Sequence, residues 1–307
     1  MSLLSIIIPA YNEQESIAYA VKKVSEALQS EHIGFEIIFV DDGSKDDTYK
    51  QILDLAALQN NIHGISFSRN FGKESAIIAG LSEAKGDCCV VMDCDMQHPA
   101  HLIPTMYRLW QQGYQIIEGV KSNRGKESIS YKFFSKVFYR IISWLSGLDM
   151  KDSSDFKLLD RDVVNAILSL PEKHVFFRGL TFWVGYHTTK IEYEVEPRMY
   201  GTTKWSGFKL MKYAVKNITS FSSAPLQIVT SMGILLLCGS FVLGIQTIVR
   251  LIMGNSLGGF TTVILLLLII GGFIMISLGV IGHYVAKIYD EVKNRPKYII
   301  AKKTDNN

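Results

Sequence analysis

Charge is missing from two long stretches of this 307-residue chain: residues 226–249 carry none, and neither do residues 251–286. A helix that crosses lipid needs roughly 20 predominantly apolar residues. Both stretches supply them, and the apolar runs at 234–238 and 263–270 leave no polar face for a surface helix. Thiol pairs are lacking as well. Of the four cysteines, Cys88 and Cys89 are adjacent, Cys94 stands alone and Cys238 falls in an uncharged stretch. No Cys-x-x-Cys occurs, which argues against a zinc site or a disulfide framework and fits a reducing compartment. No Gly-x-Gly-x-x-Gly follows a strand pattern and no Gly-x-x-x-x-Gly-Lys-Ser/Thr is present. Hydride transfer on a dinucleotide and P-loop hydrolysis therefore lose their usual phosphate cradles. The first nine residues have no basic region ahead of the apolar run, so no signal peptide is expected. Neither repeats nor low-complexity segments stand out, and a net charge of +3 gives no reason to expect a nucleic-acid partner.

What is present divides the chain in three. Residues 1–223 read as a soluble domain facing the cytoplasm, 224–287 as two membrane-spanning helices (about 226–249 and 262–286), and 288–307 as a basic cytoplasmic tail. Lys204, Lys209, Lys212 and Lys216 precede the first span, and Lys287, Lys293, Arg295, Lys297, Lys302 and Lys303 follow the second. The connecting loop offers only Arg250, so the positive-inside rule puts both termini in the cytoplasm. Two further segments, 131–148 and 205–221, mix aromatic and aliphatic residues with lysines as interfacial amphipathic helices do, and are expected to lie among membrane lipids.

The first 120 residues alternate between strand and helix patterns. Strands are expected at 5–8, 36–40, 62–67, 88–92 and 116–120, with helices at 13–29, 46–58, 73–84 and 99–111. Near-continuous apolar strands between amphipathic helices indicate a mostly parallel, Rossmann-like α/β sheet covered on both faces. Ligands bind such sheets beyond the carboxyl ends of the strands. Three polar clusters fall there: Tyr11-Asn12-Glu13, Asp41-Asp42-Gly43-Ser44 and Asp93-Cys94-Asp95. On an extended segment alternate side chains share a face, so Asp93 and Asp95 are expected to converge on one hard cation. His98, just before Pro99, reads as a structural histidine because one histidine is not a metal site.

Three motifs in order carry a family resemblance: Ile7-Ile8-Pro9-Ala10-Tyr11-Asn12-Glu13, Val40-Asp41-Asp42-Gly43-Ser44 and Asp93-Cys94-Asp95-Met96-Gln97-His98-Pro99. They resemble the family 2 glycosyltransferases of GT-A fold. Ser68-Arg69-Asn70-Phe71-Gly72-Lys73, the stretch 124–128, Asp155-Phe156-Lys157-Leu158, Arg178-Gly179-Leu180 and 198–205 narrow the likeness to polyprenyl-phosphate glycosyltransferases. These include dolichol-phosphate mannose synthase and the bactoprenol glucosyltransferases of O-antigen or teichoic acid modification. The Gln-x-x-Arg-Trp signature of processive synthases is absent, which implies one transfer per acceptor.

The resemblance implies roles residue by residue. Pro9, Tyr11, Glu13, Asp41, Asp42 and Asp93 would bind the nucleotide sugar, UDP-glucose being the first choice. Asp93, Asp95 and Gln97 would hold Mg2+ or Mn2+, hard cations that suit oxygen ligands. Asp155, with Asp95 and Asp93, would be catalytic, as base, metal contact or orienting group. Arg124, Arg178, Arg198, Thr203 and Lys204 would grip the phosphate of the polyprenyl acceptor. Inverting transfer at the cytoplasmic face of the inner membrane, by a homo-oligomer, is the expected activity. GDP-mannose, UDP-galactose, UDP-N-acetylglucosamine and an aminoarabinose donor stay open, as does a non-enzymatic partner of a flippase.

Overall fold

Leu4, Ile6, Ile7 and Ile8 are all fully buried in the first strand, which therefore has no solvent face. Such a strand needs cover on both sides, and the chain supplies it with helices. The computed structural model describes residues 2–123, 154–173, 175–194, 224–253 and 259–304. Arg124, Arg198, Thr203, Lys204 and the segments 131–148 and 205–221 lie outside the described residues.

One compact unit comprises Met1–Leu210 and Pro296–Asn307. Its sheet is built from β1 (Leu3–Ala10), β2 (Gly34–Asp41), β3 (Ile62–Phe67), β4 (Cys88–Val91), β5 (Ile116–Asn123), β6 (Lys157–Asp160), β7 (Thr188–Glu194) and β8 (Ile300–Lys303). The eight strands run in the order β7-β5-β6-β4-β1-β2-β3-β8. The first four are parallel to one another, as their apolar runs predict. The sheet as a whole is mixed, because β6 lies antiparallel to β4 and β5, and β8 antiparallel to β3.

The covering helices are α1 (Ile17–Gln29), α2 (Thr48–Leu58), α3 (Lys73–Glu83), α4 (Ile103–Gln111), α5 (Arg161–Ser169) and α6 (Phe177–Trp183). In α1 the buried residues Ile17, Ala20, Val21, Val24 and Leu28 recur at helical spacing along one stripe. The middle of α3, from Ala76 to Leu81, is buried throughout, and its small residues permit close approach to the sheet: a Cβ on Gly80 would collide with Ile7 of β1. Each fully buried aliphatic side chain of this core contributes about 1.5–3 kcal/mol.

The strands and helices expected in residues 1–120 are found, with ends that differ by up to four residues. Residues 13–16 do not join α1, because Asn12 takes a φ of 54° and the chain turns there. The C-terminal tail also departs from its composition. Pro296, Lys302 and Lys303 suggest a solvated segment, yet Ile300–Lys303 forms β8 on the edge of β3. Ser68 N donates to Ile299 O at 3.0 Å, Thr304 N donates to Gly64 O at 2.8 Å, and Tyr298 stacks on Phe67 with centroids 5.0 Å apart. An exposed edge strand invites pairing with other chains, and this tail covers it.

The second unit, Met211–Arg295, contains α7 (Ala224–Ile252) and α8 (Phe260–Val292). Within them Leu226–Arg250 and Leu266–Val292 are long and apolar enough to cross a membrane. Among their described residues none of these windows is buried within the protein, which leaves their side chains for lipid or another chain. α8 runs beyond the expected end at 286, carrying Lys287, Asp290 and Glu291 on its last turns.

Candidate active site

The strand order reverses beside β1, where connections leave to β2 on one side and β4 lies on the other. The loops at the carboxyl ends there form the natural crevice of such a sheet. Two of them are laced together. Asn12 N donates to Ser44 Oγ at 2.9 Å, Lys45 N to Asn12 Oδ1 at 2.9 Å, and Glu13 N to Thr48 Oγ1 at 2.9 Å. Pro9 is partly exposed and Tyr11 exposed, whereas Asp41 and Asp42 are buried. Asp41 accepts from Ser44 N at 2.9 Å and Ser66 Oγ at 2.7 Å. Asp42 accepts from Phe71 N at 2.6 Å and Gly72 N at 2.9 Å, which fixes the loop ahead of α3. Between them Gly43 has a φ of +67°, and a Cβ there would lie 2.5 Å from the carbonyl carbon of Arg69. Only glycine meets both demands at once.

The acidic turn follows β4. The extended geometry expected for Asp93 and Asp95 is not found: β4 ends at Val91, and Met96 has a φ of 55°, so 93–97 is a turn. Inward and outward side chains still alternate. Cys94 and Met96 enter the core while Asp93, Asp95 and Gln97 remain partly exposed. Asp95 Oδ1 accepts from Gln97 N at 3.2 Å. His98 is buried and closes the turn by accepting the Asp93 N–H on Nδ1 at 3.1 Å. Burial pushes the His98 imidazole down, toward the neutral form that this acceptor role needs. Its ring stacks on Phe156 with centroids 5.0 Å apart.

Phe156 belongs to the segment that brings in Asp155. Because β6 is antiparallel to β4, with Val91 opposite Lys157, the residues just before β6 arrive at the carboxyl end of β4. Asp155 is thereby set next to the acidic turn. Beneath it, Lys157 and Glu118 form a buried ion pair at 2.7 Å, and Ser154 N donates to the same Glu118 Oε1 at 3.2 Å. Arg178, at the start of α6, clamps Asp155 with a two-pronged contact: Nε to Oδ1 at 2.6 Å and Nη2 to Oδ2 at 3.0 Å. Lys73, the first residue of α3, donates from Nζ to Asp155 Oδ2 at 2.6 Å and forms an ion pair with Asp93 Oδ1, also at 2.6 Å. Burial opposes ionisation of Asp155, but Lys73 and Arg178 outweigh it and hold the carboxyl well below its usual range. Such a carboxylate is a feeble base and a good fixed charge.

Beside Lys73, Glu74 accepts from Phe177 N at 2.8 Å, so the first turns of α3 and α6 are joined under Asp155. Burial and the Asp155 charge push the Glu74 carboxyl from 4.5 up to about 7. A raised folded-state value means that the folded protein binds this proton more tightly than the unfolded chain. The associated stability is present below the unfolded value near 4.5 and is lost as pH rises through about 7. Glu74→Gln keeps the acceptor for Phe177 and removes the titration. It is expected to raise the melting temperature at pH 8 relative to wild type, by at most about 3 kcal/mol of stability, with the difference vanishing near pH 4.5. Melting curves of both proteins across that range check it; parallel curves would show that Glu74 stays ionised.

Several residues in this cluster escaped the sequence reading. Structure brings Arg178, which the sequence reading assigned to the acceptor phosphate, to Asp155 and Asp93, which it assigned to catalysis, and adds Lys73, Glu74, Glu118 and Lys157. Lys73 did carry a signal: a cation at a helix N-terminus opposes the helix dipole and needs a reason to be there. For Mg2+ or Mn2+ the fit is one of chemistry. Asp93, Asp95 and Gln97 offer oxygen donors at one turn, and Asp93 Oδ1 already faces a cation, the Lys73 ammonium at 2.6 Å. Among the described residues no three acidic, histidine or cysteine side chains already converge as a metal site.

Against known proteins, residues 5–168 match the model of the family "Glycosyl transferase family 2". An uncharacterized glycosyltransferase of Synechocystis is 39% identical, covering 97% of this chain and 94% of its own. The bactoprenol glucosyl transferase of Shigella phage SfII is 38% identical over 97% of both chains. The prophage bactoprenol glucosyl transferase homolog of Escherichia coli is 37% identical, over 97% of this chain and 98% of its own. Among solved structures, glucosyl-3-phosphoglycerate synthase from Mycobacterium tuberculosis superposes with a TM-score of 0.51 at 18% identity, over 72% of this chain and 77% of that one; that crystal contains Mn2+, UDP and phosphoglyceric acid. That likeness speaks for the fold, the GT-A arrangement. A full-length match at this identity, with the acidic turn and Asp155 gathered at the carboxyl edge of a GT-A sheet, makes the chain a member of the family 2 glycosyltransferases, an enzyme that transfers a sugar.

Proposed function

We propose that the enzyme moves a single glucose from UDP-glucose to a polyprenyl phosphate, undecaprenyl phosphate in a bacterial host, at the cytoplasmic face of the membrane. The observation that carries this reading is Asp155, ionised and clamped by Arg178 and Lys73 beside Asp93. The names of the full-length relatives support bactoprenol as acceptor and glucose as sugar. Two apolar helices fit an enzyme working on a lipid, and the lysines flanking them favour cytoplasmic termini.

A phosphate monoester with a second pKa of about 6 is largely a dianion at neutral pH. Its oxygen attacks the anomeric carbon as the bond to the nucleoside diphosphate breaks, giving an inverted, phosphodiester-linked sugar lipid and free UDP. No proton has to leave the nucleophile, so what the chain must supply is positioning and charge complementarity. Asp155 is suited to this, because Lys73 and Arg178 keep its carboxylate ionised and it in turn holds both cations in place. Arg178 serves Asp155 first in this geometry. Gripping the acceptor phosphate then falls chiefly to Arg124, Arg198, Thr203 and Lys204. Asp93, Asp95 and Gln97 would hold Mg2+ or Mn2+, whose chemistry is to neutralise the diphosphate leaving group. Pro9 and Tyr11 would flank the nucleotide, with Glu13, Asp41 and Asp42 shaping the loops around it. A homo-oligomer is the expected assembly.

The test is lipid extraction after incubating detergent-purified protein with undecaprenyl phosphate, Mg2+ or Mn2+, and a panel of radiolabelled nucleotide sugars. Label from UDP-glucose should enter the organic phase. Transfer from GDP-mannose, UDP-galactose, UDP-N-acetylglucosamine or an aminoarabinose donor instead would replace the sugar; no transfer from any donor would remove the acceptor.

A further inference from the structure

Lys73 sits where a divalent cation would be useful. Its ammonium lies 2.6 Å from both Asp155 Oδ2 and Asp93 Oδ1, bridging carboxylates that come from two different strand ends. The two carboxylates are held differently: Asp155 is also clamped by Arg178, at 2.6 Å. Lys73 lies toward the solvent edge of the cluster, its side chain 40% exposed against 8% for Asp155.

We propose that Lys73 is a positioning residue that stands in for the divalent cation at Asp93, and so makes metal binding conditional on the nucleotide. The inference rests on the metal-dependent reading above and adds an order to it. While Lys73 neutralises Asp93, a Mg2+ or Mn2+ ion approaching the acidic turn meets an ammonium within contact distance of the same carboxylate oxygen. Like charges so close repel strongly wherever water screens them poorly. A nucleoside diphosphate brings negative charge that offsets both cations. Lys73 then gives up Asp93 and keeps Asp155, which Arg178 holds in place. Metal and donor therefore enter together, and the empty enzyme holds its carboxylates in place without an ion.

The experiment measures Mn2+ affinity directly, by paramagnetic resonance of free Mn2+, on full-length detergent-purified protein with and without UDP. Wild type should bind Mn2+ weakly alone and at least about tenfold more tightly with UDP. Lys73→Met should bind Mn2+ alone at least about tenfold more tightly than wild type, and UDP should add less. Lys73→Arg, which retains the charge, should behave as wild type. Adding Asp95→Ala to Lys73→Met should abolish the gain, which ties the ion to the acidic turn. Mn2+ should also raise the melting temperature of Lys73→Met more than that of wild type. A purely structural lysine would move neither readout. The proposal is overturned if Lys73→Met binds Mn2+ no more tightly than wild type, if the gain survives Asp95→Ala, or if the variant fails to fold with Mn2+ as well as without. Failure of the metal reading itself looks different: UDP then recruits no Mn2+ in wild type or in any variant.

Discussion

Asp155→Asn is expected to lower sugar transfer by about 10²–10³-fold, the loss seen when a preorganised charge is removed from a reacting centre. The amide is close in size to the carboxylate, so the fold around Ser154 and Phe156 should survive. What disappears is the negative charge that receives Arg178 through two contacts and Lys73 through a third. Asparagine presents one acceptor oxygen and an NH2 that cannot face a guanidinium or an ammonium. Arg178 then loses its carboxylate partner and Lys73 one of its two, and removing one side of a partly buried ion pair is costly. The effect should fall on kcat more than on KM for the nucleotide sugar, because Asp155 holds groups that meet the reacting atoms and is not placed at the nucleotide loops. The assay is the lipid extraction described above with saturating donor. Turnover close to wild type would take Asp155 out of the reaction.

Asp95→Ala is expected to be still more damaging, by about 10³-fold or more, if the acidic turn holds the ion that neutralises the leaving group. Asp95 accepts from Gln97 N within its own turn at 3.2 Å, a local bond worth about 1 kcal/mol, so the variant should remain folded. Its signature should be joint: loss of transfer, and loss of the Mn2+ binding that UDP induces. Adding more Mn2+ should recover part of the transfer if the ion is merely held less tightly. A variant that still transfers sugar and shows an unchanged metal requirement would refute the role of Asp95 as a ligand and shift attention to Asp93 and Gln97.

Much of this protein was determined by pattern along the chain. The uncharged, largely apolar stretches 226–249 and 251–286 favour two long helices able to cross a membrane, since an internally hydrogen-bonded segment is what lipid tolerates. The apolar runs of β1 to β4 and the amphipathic stripe of α1 dictate a parallel sheet with helical cover, because each element must bury the face that it carries. A parallel sheet in turn places Tyr11, Asp42 and Asp93 on one edge, since every strand ends on the same side. Local rules of this kind need no knowledge of distant residues.

Tertiary structure decided what those rules do not reach. Pairing of Val91 with Lys157 is antiparallel, and that direction alone puts Asp155 beside Asp93 instead of at the far edge of the sheet. Strand direction depends on how the intervening chain returns, which no local pattern records. Lys73 reaches the same point because Asp42 accepts from Phe71 N and Gly72 N and so fixes the first turn of α3. A polar residue's partner is set by three-dimensional proximity, so the contact of Arg178 with Asp155 could not be read from the sequence. The strand at Ile300–Lys303 shows the same limit from the other side. Its lysines read as solvated tail, and only the open edge of β3 gives its backbone somewhere to pair.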